Sequence, residues 1–170
     1  MCMETKPRTP QNLTILTAND SLKKFLEKNI RLEKMKTEEL KQRYNLEEVF
    51  LNKLKESYTN YNAGYIKDFL ADNVTYDSIW VIEQITNKTD YCNYLEQKLK
   101  AMKEKNTIIN FMMMYEQGKG RPHLIFTPKN KDSYGCFTLE TENNLIKAIH
   151  LTPTDFYDLE YKEKEKYGKE

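Results

Sequence analysis

Three side chains of this sequence are suited to moving protons: the carboxylate of Asp77 and the only two histidines, His123 and His150. Asp77 ends a predicted strand, and a carboxylate at the edge of an apolar pocket has a raised pKa, so that it can exchange protons near neutral pH. Both histidines lie in predicted strands, where side chains alternate between the two faces of a sheet. This alternation predicts that His150 shares a face with Ile146 and Ala148, toward a pocket.

These residues also have structural interpretations, which the sequence leaves open. Asp77 can accept hydrogen bonds from the loop Ser78-Ile79-Trp80 that follows it. A strand histidine can simply be held by its neighbours in the sheet. The sequence contains no Gly-x-Ser-x-Gly motif, no His-Glu-x-x-His motif and no dinucleotide fingerprint that would select a reaction or a cofactor.

Aromatic and sulfur-containing side chains form a second candidate group. The residues predicted to contact a ligand are Tyr58, Tyr61, Tyr76, Trp80, Tyr91, Phe111 and Met113. Methionine adapts its shape to its surroundings, so such a lining suits a small, flexible apolar or amphipathic molecule. The same side chains would serve equally as an ordinary core or as a contact between two sheets.

Helical periodicity dominates the first half of the chain. A helical extension is predicted from Asp20, with an apolar face that packs against the rest of the protein and consists of Leu22, Phe25, Leu26 and Ile30. Thr37 is the predicted N-cap of a further helical stretch. Asn45 with Glu48 predicts a capping box for the next helix, and Gly64 is its predicted C-terminal cap.

The second half alternates between strand and helix and then becomes β structure. After a short helix over 65–71, a strand is predicted at 74–77, a short strand at 81–85 and a helix starting at Thr89-Asp90. Four strands then follow at 107–116, 122–128, 133–141 and 145–152. Turns at Gly118-Lys119-Gly120 and Glu142-Asn143-Asn144 join them as hairpins.

One segment carries a family resemblance: Gly64-Tyr65-Ile66-Lys67-Asp68-Phe69-Leu70-Ala71-Asp72-Asn73-Val74-Thr75-Tyr76-Asp77-Ser78. Its residue types and their spacing resemble the nuclear transport factor 2-like superfamily, which includes SnoaL-like cyclases and ketosteroid isomerases. The resemblance implies an α+β fold over 46–158, in which a curved antiparallel sheet wraps around helices as a cystatin-like cone with a pocket inside. Residues 1–45 are then an N-terminal tail and helical extension, and 159–170 a charged tail.

The resemblance implies several functions. Asp77 matches the strand-end general base of the isomerases, and a pair of Asp77 with His150 resembles the acid–base pair of the cyclases. The acid that isomerases need on the third long strand is missing at Gly135-Cys136-Phe137, which argues against steroid isomerisation. We therefore expect a small-molecule-binding domain. A lyase, isomerase or cyclase using Asp77 and His150 and a non-catalytic dimeric interaction module are the alternatives, and the sequence leaves open whether the protein is an enzyme.

The composition of the chain limits the classes of partner that we expect. The net charge is +1, with 27 basic and 26 acidic residues, and no basic stripe interleaves with aromatic residues as in nucleic-acid binders. The absence of a long apolar run argues against membrane insertion, and three widely spaced cysteines argue against a metal site and for a reducing, cytoplasmic location. No cofactor is expected. Apolar residues on both faces of the predicted meander favour a homodimer.

Overall fold

The computed structural model describes residues 12–129, 131, 133–154 and 159–161, with side chains from residue 20 onward. The chain divides into two compact units, the first ending at Leu40 and the second beginning at Lys41. Most of the predicted C-terminal tail, residues 162–170, lies outside the described residues. No helix of the described part is both long enough and apolar enough to cross a membrane.

The first unit consists of the beginning of one long helix, α1 (Asn12–Thr59). Its predicted apolar face is exposed to more than half on every member: Leu22 56%, Phe25 61%, Leu26 51% and Ile30 54%. The packing of this face against the second unit stays a prediction. The helix also continues without a break through the two predicted starts at Thr37 and Asn45, and the Thr37 hydroxyl donates instead to the Glu33 carbonyl at 2.8 Å.

In the second unit, the remainder of α1 buries an apolar stripe of Phe50, Leu51, Leu54 and Tyr58. This spacing of three and four residues places the side chains on one face of a helix. The helix ends at Thr59, and Tyr61 takes the left-handed backbone conformation (φ 49°) that was expected at Gly64. Gly64 instead begins the short helix α2 (Gly64–Lys67).

The rest of the unit is one six-stranded sheet with a helix inserted after its first strand. The elements are β1 (Leu70–Ser78), α3 (Lys88–Glu104), β2 (Ile109–Glu116), β3 (Pro122–Pro128), β4 (Gly135–Glu142), β5 (Leu145–Pro153) and β6 (Leu159–Glu160). The strand order is β1-β5-β4-β3-β2-β6. The predicted α+β fold is confirmed, but the sheet is mixed, because β1 and β5 are parallel while the other neighbours are antiparallel.

Local sequence explains where several of these helices and strands begin or end. Asn143 and Asn144 both have positive φ (52° and 60°), which asparagine tolerates in two-residue hairpin turns. Asn87, rather than Thr89, caps α3, because its side-chain oxygen accepts from the Asp90 backbone at 2.8 Å. The strand predicted at 81–85 is reduced to a single bridge between Ile85 and Tyr76. Leu159 and Glu160, predicted to lie in the tail, pair with β2.

A buried ion cluster connects α1 to the sheet. The Glu47 side chain is fully buried, and its two oxygens accept from Arg43 Nε and Arg121 Nε, each at 3.1 Å. Arg121 Nη2 also donates to the Leu139 carbonyl of β4 at 2.6 Å. A buried carboxylate is tolerated only when its charge is balanced and its oxygens are hydrogen-bonded, so this cluster connects the part of α1 in the second unit to β4 through Arg121.

Candidate functional site

The structure brings Asp77 and His150 together. The two residues are direct partners across the parallel β1–β5 pair, and Asp77 Oδ1 lies 2.6 Å from His150 Nδ1. An ionised carboxylate can only accept, so the hydrogen of this bond belongs to Nδ1. His150 Nε2 lies 3.5 Å from Glu140 Oε1, which forms an ion pair when the imidazole is protonated.

This pair faces away from the main core. Tyr76, the neighbour of Asp77, is 1% exposed and belongs to the core, so strand alternation turns Asp77 to the opposite face. His150 likewise follows the core residue Ile149. His150 shares this face with Ala148, as predicted, but not with Ile146, because a register shift between Ile146 and Ala148 turns Ile146 into the core.

The structural alternative for Asp77 is also wrong. The loop after β1 is capped by Ser78, whose hydroxyl accepts from the Trp80 backbone at 3.2 Å. The side-chain hydrogen-bond partner of Asp77 is therefore His150. Both side chains remain open to solvent, Asp77 to 44% and His150 to 29%, so the pair is accessible on an open sheet surface.

A cavity of about 280 Å³ lies on the core face of the sheet. It is bounded by α1, the loop after β1, α3 and strands β2 to β4, and its lining residues are Tyr58, Trp80, Lys98, Ile109, Phe126, Pro128, Lys131, Ser133, Tyr134, Gly135 and Phe137. The walls are therefore largely aromatic, with a few polar groups. Such a concave, mostly apolar site with few polar groups is typical of small-molecule binding.

Of the seven predicted ligand-binding residues, Tyr58 and Trp80 line this cavity. The others lie elsewhere in the second unit. Tyr76 and Tyr91 are buried and their rings pack together with centres 5.2 Å apart. Phe111 packs edge-on against Tyr58 at 6.0 Å, and Met113 packs against the main core. The Tyr61 hydroxyl donates to the Thr107 carbonyl at 2.8 Å.

Three tyrosines, Tyr76, Tyr91 and Tyr94, lie near Tyr58, which lines the cavity. The Tyr76 and Tyr94 hydroxyl oxygens lie 3.4 Å apart. Burial, followed by the neighbouring tyrosines, raises the pKa of Tyr58 and of Tyr91 well above the usual value. These phenols consequently stay protonated and remain available as hydrogen-bond donors. The Tyr91 hydroxyl is buried and has no partner among the described residues.

Lys98 is one of the lining residues of the cavity that the sequence analysis missed. Its Nζ lies 5.5 Å from the centre of the Tyr58 ring and 5.6 Å from that of Tyr94. It also donates to the Tyr94 hydroxyl at 3.5 Å. The available signal was the spacing of four between Tyr94 and Lys98 on α3, which places both on one side of a helix.

The opposite face of the sheet holds a second, larger cavity of about 360 Å³. Most of its lining residues are polar, among them Arg121, Thr138 and Thr152. His123 also lines it; its Nδ1 lies 3.4 Å from Cys136 Sγ, and its Nε2 is buried without a partner among the described residues. Within the described chain no group of three His, Cys, Asp or Glu side chains is placed to hold a metal ion.

The backbone has counterparts among solved structures, although no protein-family model matches the sequence and no curated protein matches it significantly. A nuclear transport factor 2-like protein of unknown function from Mesorhizobium loti superposes with a TM-score of 0.54 at 7% identity, over 66% of this chain and 94% of that one. A SnoaL-like protein of unknown function from Burkholderia thailandensis gives 0.53 at 8% identity, over 65% and 97%. The chain has the nuclear transport factor 2-like fold.

A steroid delta-isomerase from Pseudomonas aeruginosa shares this fold, with a TM-score of 0.50 at 9% identity, over 66% of this chain and 82% of that one. At such identities the likeness concerns the backbone. The nuclear transport factor 2-like fold that the sequence resemblance implied is thereby confirmed. The chemistry of this chain follows from its own side chains.

Proposed function

We propose that this protein binds a small, mainly apolar molecule in the cavity on the core face of its sheet. The observation that carries this proposal is the aromatic wall, in which Tyr58, Phe126 and Phe137 line one cavity together with Trp80. Burying apolar surface is the main source of affinity for such ligands. The sharing of the fold with a protein named as a steroid delta-isomerase supports an apolar ligand.

The size of the cavity limits the ligand. An apolar cavity of about 150 Å³ holds one benzene molecule, whereas this one measures about 280 Å³. We therefore expect a ligand of about one ring with a short side chain, or two fused rings.

Trp80 is the only tryptophan of the chain, so its fluorescence reports occupancy of the cavity that it lines. We expect saturable quenching when trans-cinnamyl alcohol, a neutral ring with a short chain, is titrated in with excitation at 295 nm. Ile109→Phe fills part of the cavity and should weaken binding by about tenfold or more. Val49→Phe is the matched control, because it adds the same ring at a residue of α1 that is 51% exposed and does not line the cavity.

Unsaturable quenching of the parent protein both by this alcohol and by the acid of the same carbon skeleton would contradict the proposal. Equal affinities in the Ile109→Phe and Val49→Phe variants would also contradict it, since binding would then lie outside the cavity.

A second candidate function is acid–base catalysis by Asp77 and His150, which their 2.6 Å contact favours. Such an enzyme would work on the sheet face opposite the aromatic cavity. Asp77→Asn and His150→Gln should each abolish turnover of a compound that the parent converts, while cinnamyl alcohol binding is unchanged. Turnover retained in both variants would eliminate this candidate.

We also propose a homodimer, formed through the outer face of the meander, and a cytoplasmic location. Exposed Met112 on that face supports the dimer. Light scattering should give about twice the chain mass of 20.3 kDa. A single species at the chain mass would refute the dimer.

A further inference from the structure

In the part of the chain that the structure describes, two positively charged side chains line the cavity on the core face. Lys98 and Lys131 both line it, and no aspartate or glutamate of the described chain does. Lys98 is half-buried, and it forms no ion pair with a carboxylate in the described ranges. An ammonium group is therefore held at an apolar wall without a counter-charge from the described chain.

The groups that surround this ammonium only partly compensate for its burial. The faces of Tyr58 and Tyr94 attract a cation, and the Tyr94 hydroxyl oxygen accepts one long hydrogen bond at 3.5 Å. Neither ring carries a full negative charge. Lysine has three donors, so a negatively charged acceptor can still bind at Nζ.

A ligand with an anionic group and an apolar body would suit both the ammonium of Lys98 and the apolar wall of the cavity. Hydrogen bonds between an ammonium and a carboxylate are about twice as strong as neutral ones, and the low dielectric of an aromatic cavity strengthens them further. The apolar body of the same ligand would contact Ile109 and Phe126. A neutral ligand of the same shape would fill the cavity but leave Lys98 unpaired.

We infer, as an extension that rests on the proposed function, that the cavity selects a small organic anion, namely a ring system that carries one carboxylate. The carboxylate binds at Lys98 Nζ, and the ring contacts Ile109 and Phe126. This specificity comes from one charge in a largely apolar wall. It predicts discrimination between two ligands that differ only in a carboxylate and an alcohol.

The test compares trans-cinnamate with trans-cinnamyl alcohol, which have the same carbon skeleton, by isothermal titration calorimetry on the full chain. We expect the parent to bind cinnamate at least about tenfold more tightly than the alcohol. Lys98→Met removes the charge and keeps the apolar stem, so it should weaken cinnamate binding by about 10- to 100-fold. Binding of the alcohol should change by less than about twofold.

Two further variants separate charge from position. Lys100→Met removes an exposed lysine from the same helix and should leave both affinities unchanged. Lys98→Arg retains the charge and should retain a preference for cinnamate. Circular dichroism checks folding, and Lys98→Gln replaces Lys98→Met if that variant does not fold.

The outcomes distinguish this inference from the proposed function. If the parent binds the alcohol as tightly as cinnamate, the anion specificity is refuted while a ligand cavity still stands. If Lys98→Met weakens both probes equally, Lys98 shapes the cavity and does not select an anion, which also overturns the inference. Failure of both probes to bind would overturn the inference and the proposed function together.

Discussion

Replacing the buried carboxylate Glu47 by glutamine is expected to lower the free energy of unfolding by about 3 kcal/mol. Removing one partner of a buried ion pair costs about 3–5 kcal/mol, because the remaining charge loses its compensation. Here the remaining charge is Arg121, whose side chain is only 24% exposed. Two features place the loss at the low end of the range: Arg121 keeps its bond to the Leu139 carbonyl, and Arg43, 44% exposed, can turn to water.

Urea unfolding followed by circular dichroism measures this loss, and the pair of Glu142 with Lys147 provides the control. These two side chains are 2.6 Å apart but 59% and 37% exposed, and exposed pairs contribute about 0–1 kcal/mol. Glu142→Gln should therefore cost less than about 1 kcal/mol, although its contact is shorter than the 3.1 Å contacts of Glu47. Similar losses in the two variants would refute the argument that burial decides the cost.

Two other predictions concern the sheet. Burial, and then the nearby Arg121, lowers the pKa of His123, so the unfolded chain binds the proton more readily than the folded one. Stability linked to His123 is thus fully present above about pH 6.5 and decreases as the pH falls toward the folded-state pKa. His123→Gln should reduce the difference in thermal midpoint between pH 7.5 and pH 5.5, and an unchanged difference would count against this origin. Gly135→Ala would place a Cβ atom 2.4 Å from the Phe126 ring, and such overpacking costs about 1–3 kcal/mol. Urea unfolding checks it, and an unchanged stability would mean that the ring moves aside freely.

The order of the elements was predictable from sequence because it depends on local signals. Strand β3 has the predicted limits, Pro122 and Pro128, and the two asparagines at 143 and 144 form the expected turn. These features depend on backbone preferences within a few residues. The predicted helix starts at Thr37 and Asn45 failed, however. A cap contributes only about 1 kcal/mol, and an uninterrupted helix keeps a backbone hydrogen bond for every residue that it includes.

The aromatic candidates were predictable as a group but not as a site. Their apolar character predicted burial, and all of them belong to the main core or pack against it except Trp80, which is 58% exposed. Which of them reach a cavity depends on how α1 and α3 lie over the sheet. Tyr58 and Trp80 border the open space, while Tyr76 and Tyr91 fill the interior beneath it.

Local sequence patterns did not decide the charged contacts, and the pair of Asp77 with His150 was expected only from the family resemblance. Asp77 meets His150 across 73 residues, and Glu47 meets Arg121 across 74. The first contact requires that β5 return beside β1 in parallel, a pairing that no local pattern specifies. The face of each side chain depends on register as well, since the shift between Ala148 and Ile146 reverses the alternation on β5. The sequence determined which residues are charged, apolar or turn-forming, whereas long-range strand pairing and helix packing determined which of them lie together.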